Sequence, residues 1–66
     1  MITELTKHLA YKSIRHYKGG FEIRLHNLDD GRATAERIIR ENNLPLEIFD
    51  VDVQLRSIAV REIKKG

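Results

Sequence analysis

The stretch AYKSIRHYKGGFEIRLH, residues 10–26, decides how this chain folds. In its second half Phe21, Ile23 and Leu25 alternate with Glu22, Arg24 and His26, the period-2 pattern of a strand with one buried face. The first half, Ala10 to Lys18, alternates less cleanly and has Ile14 as its only β-branched aliphatic residue. Between them Gly19–Gly20 offers the positive φ angles that a tight turn needs. The stretch therefore predicts a β-hairpin, with two registers open. If Gly19 and Gly20 form the loop, Ile14 faces Leu25 and His16 faces Ile23. A three-residue loop sets Tyr17 opposite Phe21 instead, and the register decides which face carries the tyrosines.

Downstream, Asp29 and Asp30 are placed to cap a helix and to suit the positive end of its dipole. Ala35, Ile38 and Ile39 form its apolar stripe, with Leu28 at the start and Leu44 at the exit. Arg32–Glu36, Glu36–Arg40 and Arg37–Glu41 are i,i+4 pairs on the other face, each worth about 0.2–0.5 kcal/mol. Asn42–Asn43 suits the left-handed end of a helix, and Pro45 forbids continuation. From Leu46 the pattern is β again, but Leu46 and Ile48 share one parity while Val51, Val53 and Leu55 share the other. Alternation cannot cross Phe49–Asp50 intact, so a bulge or break is expected there. Ile58 and Val60 predict a last strand over 57–63; a C-terminal helix is the competing assignment, because no Gly, Asn or Pro marks a turn before it. Ile2, Leu5 and Leu9 fit a short helix or a lead-in to a strand.

The expected fold is α+β, a single domain over 1–66 with a small single-layer antiparallel or mixed sheet and one helix packed on one face. Strand 21–26, helix and strand 46–53 suit a parallel β-α-β crossover. The runner-up takes residues 33–49 as a helix-turn-helix about Asn42–Pro45, but 49–55 is too acidic and β-rich for a recognition helix.

A chain of 66 residues buries only about 60% of its unfolded surface, so the core is small. With no cysteine there are neither disulfides nor thiolate metal sites, and the cytoplasm is the expected compartment. The first four residues do not read as a signal peptide, and no apolar run reaches the ~18 residues of a membrane span. Charge is unevenly spread: residues 7–26 hold Lys7, Lys12, Arg15, Lys18 and Arg24 against Glu22 alone. Residues 27–53 carry seven acids against three arginines, and 54–66 turn basic again through Arg56, Arg61, Lys64 and Lys65.

Catalytic patterns are weak. His8, His16 and His26 are eight and ten residues apart, unlike the short spacing of zinc ligands, and read as surface or rim histidines in a basic patch. Asp29–Asp30 is explained by capping. Asp50 and Asp52 project from one strand face, with Phe49 and Val51 expected on the other, and suit a charged, aggregation-resistant edge. No phosphate loop or nucleophile elbow is present, so neither catalysis nor a cofactor or metal is expected.

What remains is the hairpin, whose cations suit phosphates and whose rings (Tyr11, Tyr17, Phe21) suit stacking on unpaired bases. In so small a protein at least two of these rings belong to the core. The expected contacts are Lys12, Arg15, Lys18 and Arg24, with Tyr17 or Tyr11 as the anchoring ring. The partner class is nucleic acid or an acidic protein surface, with no membrane. The alternation of basic and acidic blocks also suits a protein-binding adaptor or inhibitor that docks by charge or by pairing a strand edge, including with a second copy of itself. Across residues 10–55 the layout of hairpin, Leu28-Asp29-Asp30, Ala-containing helix and returning strand is similar to small modules of phage and mobile elements, some anti-CRISPR inhibitors among them. That similarity is one of architecture and size and assigns no residue a role.

Overall fold

A computed structural model describes residues 2–63; Met1 lies outside that range, as do Lys64 and Lys65 of the basic tail. The element order is α1 (Ile2–Thr6), β1 (Ser13–Tyr17), β2 (Gly20–Arg24), α2 (Leu28–Glu41), β3 (Leu46–Asp52) and β4 (Ser57–Glu62). The four strands form one sheet in the order β1-β2-β4-β3, and every neighbouring pair is antiparallel. The α+β expectation holds, and so does the fourth strand. β2 and β3 do run parallel, as a crossover requires, but β4 is inserted between them. The helix-turn-helix alternative fails because residues 46–52 pair in the sheet directly after a single helix.

The hairpin adopts neither expected register. Ile14 pairs with Ile23, His16 with Phe21 and Tyr17 with Gly20, so the turn is Lys18–Gly19 and Gly20 already belongs to the strand. Of the two glycines only Gly19 has a positive φ, +101°. Gly20 is used for closeness instead: a Cβ there would stand 2.5 Å from the Val60 carbonyl oxygen.

α2 is capped by Asn27, whose Oδ1 accepts from the Asp30 backbone N–H at 3.0 Å. Asp29 and Asp30 therefore sit in the first turn, where they favour the positive end of the helix dipole but do not cap. Two of the three expected i,i+4 pairs close, Arg32–Glu36 at 3.3 Å and Arg37–Glu41 at 3.4 Å, both exposed. Asn42 ends the helix and Asn43 takes the left-handed conformation, φ 50°.

The core lies between the helices and one face of the sheet: Leu5 from α1 and Leu9 just after it, Ala35 and Ile38 from α2, and Ile23, Leu25, Leu46, Ile58 and Val60 from the strands and their ends. Each large aliphatic side chain fully buried there contributes about 1.5–3 kcal/mol. No helix among the described residues is long and apolar enough to cross a membrane.

Candidate functional site

One face of the sheet is packed by helix; the other is open. Register fixes which side chains share the open face. Opposite Arg15 stands Glu22, then Ala59, then Asp50; the next row is Ser13, Arg24, Ser57 and Asp52. Toward the hairpin turn, Tyr17 faces Gly20, while Arg61 of β4 pairs with Glu47 of β3. Of the sequence-predicted contacts, Arg15, Tyr17 and Arg24 thus come together on one face. Lys18 sits in the turn beside Tyr17. Lys12 and Tyr11 precede β1 and lie outside the strand, although the Lys12 N–H still donates to the Arg24 carbonyl at 2.8 Å. Phe21 is on the helix side, where it meets His16 edge to face at 4.7 Å, and so is unavailable to the open face.

β3 supplies the ring that the hairpin lost. The expected bulge is real: pairing passes from Ile48↔Val60 to Asp50↔Ala59, leaving Phe49 over. Alternation counted back from Val51 would put Phe49 on the helix side, the face expected from the sequence. Instead the Arg61 guanidinium lies 4.8 Å from the Phe49 ring centroid, and a Cβ on Gly20 would be 3.4 Å from its Cε1. Phe49 is therefore on the open face, bent across β4 toward bare Gly20, with Tyr17 next along the row. Tyr17 and Phe49 are 45% and 41% exposed. Phe49 and Arg61 were not among the sequence-derived candidates. The broken parity at Phe49–Asp50 was the available signal, since an extra strand residue re-aims a side chain.

The other end of this face, beyond Arg24, is a cleft of about 430 Å³ where β1 and β2 meet the β3–β4 turn. Lys12, Ser13, Arg24, Leu25, Gln54, Leu55 and Arg56 line it, and no carboxylate does. The nearby Asp52 carboxylate is engaged, accepting from the Leu55 N–H at 3.0 Å. Among the described residues two buried polar atoms on the open face lack a hydrogen-bond partner, Glu22 Oε1 and Arg24 Nε. Among the described residues Glu47–Arg61 is the one ion pair on this face, and it sits on the β3 side.

The histidines are dispersed. His8 and His26 line a cleft with Asp30 by the start of α2, whereas His16 borders a separate one with Phe21 and Glu62. Among the described residues no three His, Asp or Glu side chains gather to hold a metal ion. Asp50 and Asp52 share the open face as expected, beside no histidine. The chain matches no known protein family, no curated protein and no solved structure.

Proposed function

We propose that this protein is a non-enzymatic binding module whose open sheet face takes single-stranded nucleic acid. The observation that carries this is the pair of exposed rings, Tyr17 and Phe49, set on one sheet face with Arg15, Arg24 and Arg61. Bases of a single strand can lie on such rings, each stack worth about 1–3 kcal/mol, while guanidinium groups meet the phosphates. From Tyr17 to Ser13 is about 13 Å of strand, enough for a short run of nucleotides along β1 and β2. The carboxylates Glu47, Asp50 and Asp52 crowd the β3 edge, so a polyanion follows the β1–β2 side. The cytoplasm is the compartment this function and the cysteine-free sequence suit.

The test is a titration of labelled single- and double-stranded DNA and RNA with the wild type and with the R15A/K18A double variant. Micromolar binding that prefers single strands is expected, weakened about tenfold or more in the variant with its melting temperature within a few degrees of wild type. Equal affinity of variant and wild type would reject the face.

A second reading, an inhibitor or adaptor of mobile-element type, is favoured by the unlike sheet edges. β3 is guarded by a bulge and three acids, whereas β1 is regular, basic and unguarded. An acidic strand of a protein partner, or of a second copy, would add there. Absence of oligonucleotide binding at low salt, with a partner recovered by pull-down and lost in R15A/K18A, would favour this alternative.

A further inference from the structure

We infer that the cleft at the end of the open face is a subsite for a phosphate monoester, the terminal phosphate of a nucleic-acid strand. The inference rests on the nucleic-acid reading for its ligand's source, but the cleft itself stands on three separate observations. The first is its lining: Lys12, Arg24 and Arg56 supply positive charge, Ser13 and Gln54 supply neutral donors, and no carboxylate is among the lining residues. A terminal phosphate, with close to two negative charges at neutral pH, gains more from such a site than the single charge of an internal phosphodiester. The second is Arg24 Nε, buried and without a hydrogen-bond partner among the described residues, a guanidinium donor left unsatisfied.

The third is Arg56. It has φ 52°, in the left-handed region where glycine is free and an arginine is strained. Its backbone explains the conformation, because the Arg56 carbonyl must accept from the Leu25 N–H at 2.8 Å to join the turn to β2. Its side chain borders this cleft and also a neighbouring one that holds Asp29, so a strained position is spent on placing a cation between the two.

One short labelled oligonucleotide is compared in 5′-phosphorylated, 3′-phosphorylated and unphosphorylated forms by anisotropy, with inorganic phosphate titrated separately by amide NMR. One phosphorylated form should bind about tenfold tighter than the unphosphorylated strand, the worth of one charge-assisted hydrogen bond. Arg56→Gly should lose that advantage, bind the unphosphorylated strand nearly as the wild type does, and melt at a higher temperature. Phosphorylated and unphosphorylated strands binding alike would overturn the subsite and leave the nucleic-acid face standing. So would an advantage that survives in R56G. If no oligonucleotide binds but inorganic phosphate shifts the amides of Lys12, Ser13 and 54–56, the anion site is supported and the nucleic-acid source falls. Silence in both titrations overturns both.

Discussion

Gly20 shows how one missing side chain serves two purposes. Its bare Cα lets β2 lie against the Val60 carbonyl, and it leaves the space into which the Phe49 ring leans. Gly19, one residue earlier, has open space around it and is needed only for its φ of +101°. Alanine at position 20 should therefore lower stability by about 1–3 kcal/mol in urea denaturation, because a backbone oxygen cannot swing aside as a side chain would. A G20A protein as stable as wild type would mean that the strands separate easily there. From the sequence the two glycines look equivalent, and both were given to the turn. Only the third strand beside Gly20, brought in from forty residues away, tells them apart.

At the scale of elements, the bulge in β3 is the most consequential irregularity. It keeps Ile48 and Val51 on the helix side while turning Phe49 out to the open face, which no regular strand could do. Deleting Phe49 should restore continuous pairing, since Ile48↔Val60 and Asp50↔Ala59 are the contacts of an uninterrupted ladder. The deletion variant is expected to fold with an unchanged circular dichroism spectrum and to lose about 1 kcal/mol or less, the worth of the Arg61–Phe49 contact. Its affinity for a single strand should fall several-fold, because one stacking surface is gone. An unfolded variant would show that the bulge is integral to the sheet. The β3–β4 turn carries the complementary lesson. It has no Gly, Asn or Pro, so the sequence left strand and helix in competition there, and Arg56 supplies the left-handed residue by accepting strain.

For the whole molecule, strand order converts blocks of charge along the chain into a gradient across a surface. β1, from the basic block, is one edge of the sheet; β3, from the acidic block, is the other. A net charge of only +2 therefore understates the field over the β1–β2 half. If three or four of Lys12, Arg15, Lys18 and Arg24 meet phosphates along the strand, log affinity should fall against log salt with a slope of roughly −2 to −3 for a single strand. A slope near zero, measured by anisotropy between low and physiological salt, would contradict phosphate contacts.

The sequence by itself determined the local decisions: where strand periodicity gives way to helix, that Asn43 and Pro45 end the helix, and that β3 must slip between Ile48 and Val51. These follow from φ preferences and from which neighbours along the chain share a face. Along the first arm Arg15 and Tyr17 share a parity in the sequence, but the register that adds Arg24 to their face came from the fold. Tertiary structure decided the rest. The insertion of β4 between β2 and β3, the turn at Lys18–Gly19, Asn27 rather than Asp29 as the cap, and the meeting of Phe49 with Gly20 all depend on which groups from distant segments satisfy one another's hydrogen bonds and volume. Nothing in local spacing encodes those encounters, because each is selected by the packing of the whole sheet against the helix.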